Sequence, residues 1–581
     1  MVPCAFAEPL QNTLRDHPSP YLALHGDDPV AWQAWGPAAF DAARADNRLI
    51  MVSVGYFACH WCHVMQRESF RDAAIAARLN ADYVSIKVDR EQHPGIDARL
   101  IDFAERTVGR AGWPLNVFLT PDGYPLVAVL YQPPERFAGV VARLSERWRQ
   151  EPDKLRDLAF AAQTALREVV PEAGTPVSVA TARALLFDTA LRHADTLGGG
   201  FGQQARFPMS PVLAALLSGV ERDEAPDEIR EFLITTLDHM AALGLRDHLH
   251  GGFFRYTVDP DWHTPHYEKM LYDNAQLAEL FVRAARVLAR PEYLAVAFDT
   301  LDFVLAHMTH PQGGYVSSLS ALDAHGHEGG DYLWTRQALR EAVDAEAFAM
   351  IESVWDLRTP VAGGEGFLPR IASTPAQVAA ALGIDPIEAE VVYERARQTL
   401  IAARGGYRPP RDDKVIAAWN GLLLRALVAA AGAPGGDRFA VHADELATFV
   451  RAAFDSPDGL RRLARNATTP ATLEDHVFLA AGIDAWSRWR DDPAARRVAQ
   501  AWLVVAREQF NDGDGWRRDR DQLLRYGDAA SALPDDALPS ASAEWERLTA
   551  TGGQSIEPRI PAAAIADPLG HASLISPASG R

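Results

Sequence analysis

Short apolar runs and helically spaced apolar residues alternate along the first 170 positions. Leu49 to Val54 and Tyr83 to Val88 are β-rich runs, and a helix-compatible stretch follows the first of them through Arg78. This order predicts two parallel strands joined by a helix. A third run, Asn116 to Thr120, leads through a Pro-Asp-Gly turn into a hairpin partner, Pro125 to Leu130. We therefore predict an α/β domain over residues 1–170.

Beyond residue 176 the pattern is almost wholly helical. A Pro/Gly-rich break, Pro171 to Pro176, separates the two regions and is interpreted as a linker. The chain is thus predicted to combine the α/β domain with an all-α domain over residues 177–581. The predicted helices are Glu228 to Leu243, Leu271 to Ala289, Tyr293 to Met308, Trp419 to Ala431, Ala440 to Phe454, Leu473 to Trp489 and Ala494 to Phe510.

Glycine pairs followed by an aromatic residue recur between these helices. The pairs begin at positions 199, 251, 313 and 363, and a related Gly-Asp-Gly stretch precedes Trp516. The intervals between them, 50 to 62 residues, fit one helical hairpin per repeat. Because glycine lets the chain turn sharply at a helix end, we expect these loops on one rim of a repeating structure.

Composition narrows the functional classes. The chain has 581 residues, of which 48% are apolar, so it can bury more than one core. A net charge of -20 with no basic block argues against nucleic acid and membrane surfaces as partners. The N-terminus lacks a signal-peptide pattern and no apolar run is long enough to span a membrane. We therefore expect a soluble, cytoplasmic protein.

Cys59 and Cys62 lie two residues apart at a predicted strand-to-helix junction. This spacing suits a redox dithiol, half of a zinc site with His60 or His63, or the attachment motif of haem c. The domain offers no further zinc-ligand pair, and haem c attachment requires export. We expect a redox dithiol with no metal and no cofactor; packed, redox-inert cysteines are the structural alternative. Cys4 is interpreted as incidental.

The order of strand, Cys-x-x-Cys, strand, helix, X-Pro and hairpin resembles the thioredoxin fold. The resemblance implies that Cys59 attacks, that Cys62 resolves, and that Pro114 is cis and shapes the substrate groove. Two positions depart from the thioredoxin pattern. Ala58 replaces a common tryptophan, and Ser53 replaces a buried acid that is thought to relay a proton to the second cysteine. These departures argue against fast general disulfide reduction.

The repeated hairpins with Gly-Gly-aromatic loops resemble the (α/α)6 toroid of six-hairpin glycosidases and N-acylglucosamine 2-epimerases, with an open α-solenoid as the structural alternative. In a toroid, carboxylates at the starts of inner helices face the cavity and two of them act as general acid and base. Glu268, Asp273 and Asp475 are the best candidates, with helix capping as the structural alternative. The other candidate cavity residues are Arg206, His250, His266, Asn274, Asp413, Lys414, Trp419 and Asn420.

Motifs from both regions, taken together, identify a family more specifically than the pattern of either domain alone. They are Ser19-Pro20-Tyr21-Leu22, Asp28-Pro29-Val30 with Trp32 and Trp35-Gly36, Cys59 to Met65, Lys87 to Glu91, Gly112-Trp113-Pro114, Pro265 to Asn274, and Asp412-Asp413-Lys414 with Trp419-Asn420-Gly421. This set resembles the spermatogenesis-associated protein 20 family, which joins a thioredoxin domain to a six-hairpin toroid. Because the function of that family is not established, the resemblance implies an architecture rather than a reaction.

Three features depart from the family pattern. Ser320 to Asp323 replaces an Asp-Ala-Asp run, Arg206 replaces a lysine, and Pro539 to Ala543 replaces Pro-Ser-Gly-Asn-Ser. In addition, Gly/Pro/Ala-rich sequence follows Ala550 where relatives continue with helices. We therefore expect the last hairpin of the toroid to be missing or replaced, and any cavity to be open on that side.

Three functions remain open. The leading hypothesis is a thiol-disulfide oxidoreductase whose toroid selects its partner, either protein thiols or a small carbohydrate-like ligand. The second is an epimerase or hydrolase in the toroid, with the thioredoxin-like domain as a scaffold. The third is a non-enzymatic adaptor.

Overall fold

The chain divides into two compact units. The computed structural model describes residues 10–168, 177–361, 366–404, 407–456, 459–464, 469–513, 515–527, 529–550 and 560–577, so Cys4, the predicted linker and the glycine pair at 363 lie outside it. Unit 1 comprises Met1–Glu172, Asn466–Thr472 and Gln509–Ala530, and unit 2 comprises Ala173–Arg465, Leu473–Glu508 and Ser531–Arg581. The sequence analysis predicts one continuous all-α domain over residues 177–581. In the structure, Asn466–Thr472 and Gln509–Ala530 from this range belong to unit 1.

The segment Gln509–Ala530 belongs to unit 1 because of its apolar and charged contacts there. Leu524 and Tyr526 are buried in the same hydrophobic cluster as Phe103. Arg99 forms ion pairs of 3.3 and 3.2 Å with Asp519 and Asp521. No periodic pattern marks this segment, so the sequence gives no local signal for its assignment.

Unit 1 is built on a mixed sheet with strand order β1-β3-β2-β4-β5. β2 and β3 are parallel, and β4 is antiparallel to both β2 and β5, which confirms the predicted parallel pair and hairpin. β2 and β3 are buried along their whole length, as central strands covered on both faces are. The strands are β1 (Gln33–Ala34), β2 (Leu49–Gly55), β3 (Tyr83–Asp89), β4 (Leu115–Leu119) and β5 (Pro125–Val129).

The helices of unit 1 include a break that the sequence pattern does not show. The predicted helical stretch through Arg78 is interrupted, because Asp72 caps a new helix by accepting from the backbone N–H groups of Ala74 and Ile75 at 2.9 and 2.8 Å. The helices are α1 (Pro20–Ala23), α2 (Pro37–Asp46), α3 (His60–Met65), a π-helical turn (Gln66–Phe70), α4 (Ala73–Asp82), α5 (Pro94–Val108), α6 (Pro134–Gln150) and α7 (Pro152–Glu168).

Unit 2 is almost wholly helical, and each helix predicted there is present within two residues at either end. In the ranges that the structure describes, no helix is both long and apolar enough to cross a bilayer. The helices are α8 (Val179–His193), α9 (Ser210–Glu221), α10 (Asp227–Ala242), α11 (Leu271–Val287), α12 (Tyr293–His307), α13 (Arg336–Ala342), α14 (Ala345–Val354), α15 (Pro375–Leu382), α16 (Pro386–Ala403), α17 (Ala417–Ala431), α18 (Phe439–Ala453), α19 (Leu473–Arg490), α20 (Pro493–Phe510), α21 (Ala541–Thr549), α22 (Ala562–Ala566), a 3₁₀ turn (Leu569–His571) and α23 (Ala572–Ile575).

The inner helices of unit 2 form a closed helical toroid. Following the chain, α9 packs on α11, α11 on α17, α17 on α19, α19 on α21 and α21 on α23, and α23 packs back on α9. The last two positions are occupied by short helices, α21 and α23, in agreement with the expected replacement of the last hairpin. The ring of contacts nevertheless closes, so the expected open side is wrong. α14, α15 and α16, which lie between α12 and α17 in the chain, share a hydrophobic cluster with Leu339 of α13, Trp334 and Leu249.

The glycine pairs form a repeated turn before the inner helices. In the first three loops the residue before the turn pairs with the aromatic residue after it: Ala194 with Phe201, Arg246 with Phe253 and Thr309 with Tyr315. Both glycines of each pair have φ between 69° and 97°, a conformation that side-chain-bearing residues rarely adopt. The glycine pair of the fourth loop lies outside the described residues, and the loop's aromatic residue Phe367 pairs with Trp334.

Candidate functional site

Cys59 and Cys62 lie where β2 passes into α3. Cys59 caps α3, with its Sγ accepting a hydrogen bond from the backbone N–H of Cys62 at 3.2 Å. The two cysteines form a disulfide and both are buried. Pro114 follows a cis peptide bond and precedes Leu115, which lies opposite Val54 in the sheet. Pro114 is therefore placed next to the end of β2 that leads to the cysteines.

Aromatic side chains border the cysteine pair. Trp61, between the two cysteines, is 45% exposed and packs on Tyr131 with ring centroids 4.9 Å apart. The Tyr131 hydroxyl donates to Glu68 Oε2 at 2.6 Å. Trp113, before Pro114, donates to Asp97 Oδ1 at 2.8 Å. Hydrogen-bonded aromatic rings of this kind offer a partner protein apolar surface at low entropic cost.

A buried lysine lies beside β2, the strand that leads to the cysteines. The sequence analysis did not include this lysine among the candidate site residues. Lys87 on β3 is opposite Ser53 on β2 and donates from Nζ to Ser53 Oγ at 2.9 Å. Its ammonium lies 4.5 Å from the centroid of Phe70 and 5.1 Å from that of Trp32. Burial lowers the pKa of Lys87 to about 7. In the sequence, Lys87 stands out only as a lysine inside the apolar run of β3 and as the first residue of the Lys87 to Glu91 motif, neither of which gives it a role.

Next to Lys87, a buried aspartate collects several hydrogen bonds. Asp28 is bonded to His25 Nδ1 at 2.6 Å and accepts from Trp32 Nε1 at 3.1 Å and Gln66 Nε2 at 3.0 Å. Burial lowers the pKa of His25 to about 3. These contacts join the Asp-Pro-Val and Trp motif near the N-terminus to Gln66, the residue that follows α3.

In the toroid, two of the predicted cavity residues, Asn274 and Asn420, form hydrogen bonds to the backbone. Asn274 accepts from Phe253 N at 2.7 Å and donates to the carbonyls of Phe253 and Met270 at 3.1 and 2.9 Å. Asn420 makes the same three bonds to Tyr315 and Ile416 at 2.9, 3.1 and 2.9 Å. Each asparagine thus fastens a Gly-Gly-aromatic loop to the start of its inner helix.

Two charged candidates are likewise paired inside the toroid. Asp475 contacts Arg462 Nη1 through both carboxylate oxygens at 3.0 Å, and it accepts from Ala418 N at 3.1 Å. Arg206 is buried, donates to the carbonyl of Pro260 at 2.9 Å and bonds Asp195. Because the buried pair of Asp475 and Arg462 cannot lose one partner cheaply, we interpret Asp475 as structural. The partner of Arg206 is different, since Asp195 is 38% exposed.

In the Asp412-Asp413-Lys414 motif, the buried aspartate is Asp412 and not the predicted cavity residue Asp413. Asp413 is half exposed and pairs with Arg411 at 2.7 Å. Asp412, which belongs to the motif but was not among the candidate cavity residues, is buried and accepts from Lys414 Nζ at 2.5 Å. Asp412 also belongs to β8, so the strand pairing determines which of the two aspartates is inside.

A small sheet brings the starts of α11 and α17 together. Its strands are β6 (Lys269–Met270), β7 (Ser318–Leu319) and β8 (Arg411–Asp412), paired in that order. At the start of α11, Asp273 is buried, and at the start of α17, Trp419 packs edge-on against Tyr272 with centroids 4.7 Å apart.

Lys269, also missed by sequence reasoning, anchors this end of the toroid. Its Nζ donates to Asp247 Oδ2 at 2.7 Å and to the carbonyl of Gly251 at 2.8 Å. The candidate His250 stacks on Tyr407 with centroids 4.1 Å apart, and burial lowers the pKa of His250. These groups fill the space beside the second Gly-Gly loop.

His266 and Glu268 form a cluster that suits acid-base chemistry. Glu268 is fully buried, with Arg255 Nη1 at 3.4 Å and His266 Nδ1 at 3.8 Å from its Oε1. The second ring nitrogen of His266, Nε2, lies 3.6 Å from Glu328 Oε1. Burial raises the pKa of Glu328. Glu328 was not among the predicted residues, because nothing in its local sequence relates it to His266.

A stack of rings leads from this cluster to solvent. Tyr256 stacks on His266 with centroids 5.2 Å apart and on Phe207 with centroids 4.5 Å apart. Phe207 is 45% exposed. We refer to His266, Glu268, Glu328, Tyr256 and Phe207 as the His266 cluster.

Comparisons with known proteins identify the family. The family model described as "Thioredox_DsbH: Protein of unknown function, DUF255" matches residues 11–167. Human spermatogenesis-associated protein 20 is 32% identical over 555 residues, which cover 84% of this chain and 70% of the human protein. The chain belongs to the spermatogenesis-associated protein 20 family.

Two solved structures are similar to parts of this family member. Cellobiose 2-epimerase from Bacillus thermoamylovorans matches 58% of this chain and 74% of its own, with 9% identity and a TM-score of 0.38. A DsbH oxidoreductase matches 20% of this chain and 85% of its own, with 16% identity and a TM-score of 0.17.

We predict that Asn274→Ala destabilises unit 2 of this family member. The substitution leaves a buried N–H and carbonyl of the Phe253 loop without partners, which costs about 1–3 kcal/mol. Asn420→Ala should cost a similar amount, measured as the shift in the unit 2 transition during urea unfolding followed by circular dichroism. Asp413→Ala, at the surface, is the control and should change stability by less than about 0.5 kcal/mol. Two asparagine variants as stable as this control would contradict the structural role.

Proposed function

We propose that the thioredoxin-like unit exchanges disulfides with protein thiols in the cytoplasm. The observation that carries this proposal is the arrangement of Cys59 and Cys62, which are paired in a disulfide and share one helical turn. The backbone N–H of Cys62 points at Cys59 Sγ, so a thiolate on Cys59 would receive a hydrogen bond as soon as the disulfide opens.

In the proposed reaction, Cys59 is the attacking thiolate and Cys62 is the resolving thiol. The Cys59 thiolate attacks one sulfur of a partner disulfide, and the other partner sulfur leaves as a thiolate. Cys62 then attacks Cys59 Sγ of the mixed disulfide, which releases the second partner sulfur and closes the bond between Cys59 and Cys62. Two electrons pass from the protein dithiol to the partner, and a thiol reductant later restores the dithiol.

The surroundings of the cysteines support a protein partner. Trp61 is exposed beside the buried sulfurs and is held by Tyr131, while Pro114 lies at the end of β2. An aromatic surface next to a buried disulfide favours a partner chain that brings its own sulfur to the edge of α3. The toroid would select that partner or a carbohydrate-like ligand.

We expect Cys59 and Cys62 to form and lose their disulfide reversibly across a glutathione redox series. The measurement is differential alkylation of quenched samples with mass spectrometry, in a Cys4→Ser background that removes the third thiol. Cys62→Ser should instead trap Cys59 as a mixed disulfide with glutathione, because the resolving thiol is absent. Finding both cysteines reduced at every ratio of oxidised to reduced glutathione would sink the proposal.

A carbohydrate-active toroid is the second candidate function. The specific observation is the His266 cluster, in which a histidine lies between two carboxylates and beside a stack of aromatic rings. A carboxylate and an imidazole at this separation can take and return a proton at a sugar carbon or glycosidic oxygen. The exposed ring of Phe207 is suited to stacking on a sugar face.

This second function predicts saturable sugar binding that depends on Glu268. Glu268→Gln should abolish turnover of the bound sugar by at least about 100-fold, because the amide cannot exchange the proton. Ligands would be found by thermal shift with a broad library of mono- and disaccharides, and turnover would be followed by NMR of the sugar. Cys59→Ser is the matched control and should keep full turnover. A library that shifts no melting curve would count decisively against a carbohydrate ligand.

A further inference from the structure

Cys62 must be deprotonated to act in the resolving step, and the acid that serves this purpose in thioredoxins is replaced by Ser53. In the resolving step Cys62 must act as a thiolate, so it has to lose a proton while buried. Burial in apolar surroundings opposes the charged form of a thiol and raises its pKa. Ser53 stands on β2 without an ionisable side chain, so another group must favour the thiolate.

Tyr21 connects the sulfur to the buried lysine. Gly55, at the end of β2, has no side chain, and a Cβ there would lie 2.2 Å from Tyr21 Oη and 2.8 Å from Cys62 Sγ. The hydroxyl and the sulfur therefore both border the same small space beside Gly55. The ring of Tyr21 is also one of the rings around Lys87, whose Nζ lies 5.5 Å from its centroid. Both side chains are fully buried.

We propose that Tyr21 and Lys87 activate Cys62 as the resolving nucleophile. The Tyr21 hydroxyl donates a hydrogen bond to the Cys62 thiolate, and the Lys87 ammonium supplies the positive charge that balances it. Together, Cys62 and Lys87 release one proton to bulk water before the attack, which leaves a thiolate near an ammonium. Cys62 Sγ then bonds to Cys59 Sγ, and the partner sulfur departs with the electron pair. This inference rests on the proposed thiol-disulfide exchange.

Two buried carboxylates also lie beside Lys87 and Cys62, and both have partners. Asp89, opposite Gly55 on β3, accepts from Ser19 Oγ at 2.6 Å and from Glu91 N at 2.9 Å. Asp28 is bonded by His25, Trp32 and Gln66, and its Oδ1 lies 3.6 Å from Arg71 Nε. His63, next to Cys62, is bonded through Nε2 to the carbonyl of Phe57 at 2.7 Å, and burial lowers its pKa. Burial also lowers the pKa of His25 to about 3, so this ring is neutral near pH 7. Of the three buried bases Lys87, His25 and His63, Lys87 therefore has the highest protonated fraction at pH 7.

The direction of the pH dependence follows from Lys87. Because burial lowers its pKa from 10.5 to about 7, its proton is held weakly while Cys62 is a neutral thiol or half of a disulfide. The coupled pair of Cys62 and Lys87 therefore loses its first proton near or below pH 7. The attraction between an ammonium and a thiolate favours loss of this proton from Cys62 over loss from Lys87. Without Lys87, the thiolate should form only around the ordinary cysteine pKa of about 8.5 or higher.

The test follows the resolving step in stopped flow. Reduced full-length protein in the Cys4→Ser background is mixed with Ellman's reagent. The first thionitrobenzoate released reports attack by Cys59, and the second reports attack by Cys62 on the mixed disulfide. In the parent protein, the rate of the second release should rise with pH to a plateau near neutral pH. Tyr21→Phe and Lys87→Met should each slow it at pH 7 by on the order of tenfold or more.

Two readouts separate catalysis from folding. The first release should be unchanged in Tyr21→Phe, which removes one oxygen and keeps the ring. In Lys87→Met, the pH profile of the second release should move toward about pH 8.5. Tyr124→Phe and Lys154→Met, at other positions of unit 1, are the matched controls and should keep the parent profile.

The possible outcomes distinguish a failure of this inference from a failure of the proposed thiol-disulfide exchange. A parent protein that gives no second release and forms no disulfide between Cys59 and Cys62 overturns the thiol-disulfide exchange itself. A parent protein with a normal second release, whose profile is shared by Tyr21→Phe and Lys87→Met, overturns only the role of Tyr21 and Lys87.

Discussion

The need to pair polar groups inside the protein is the constraint on which both units depend. Each Gly-Gly turn before α11 and α17 exposes backbone groups within the toroid, and Asn274 and Asn420 satisfy them with the same three hydrogen bonds. In unit 1, Ser53 and three aromatic rings hold the ammonium of Lys87. An unsatisfied buried group costs more than the bond it would make, so these partners cannot vary independently.

This constraint also decides which candidate residues remain available for chemistry. Asp475, a predicted cavity residue, forms a buried ion pair with Arg462, and the predicted cavity residue Arg206 is buried and pairs with the partly exposed Asp195. The two proposed functions rest on the cysteine pair of unit 1 and on the His266 cluster of unit 2. Because these groups belong to separate units, we expect a substitution that removes one proposed function to leave the other intact.

The elements of the fold could be predicted well because their signals are local. Apolar spacing located β2, β3 and the long helices of unit 2, and glycine pairs marked their turns. The Cys-x-x-Cys motif was placed correctly at a strand-to-helix junction for the same reason. The assignment of Gln509–Ala530 to unit 1 was out of reach, because it depends on Leu524 and Tyr526 packing against residues about 400 positions away.

The site was predicted less completely, since pairing across the fold is not encoded in spacing. Asp413 and Asp412 are neighbours in sequence, and only the pairing of β8 with β7 shows that Asp412 is the buried one. Glu328 meets His266 only in the folded toroid. Lys87 was visible as a lysine in an apolar strand, but its meaning depends on Ser53, Tyr21 and the cysteines together.

The central claim is that Cys59 is an activated nucleophile, and its pKa in the reduced native protein tests this most directly. The measurement is the rate of alkylation of Cys59 by iodoacetamide as a function of pH, with Cys4 replaced by serine and the modified residue located by mass spectrometry. The hydrogen bond from the Cys62 backbone N–H predicts an inflection clearly below the ordinary cysteine pKa of about 8.5. An inflection at or above that value, or a Cys59 that iodoacetamide does not modify until the protein unfolds, would contradict the account.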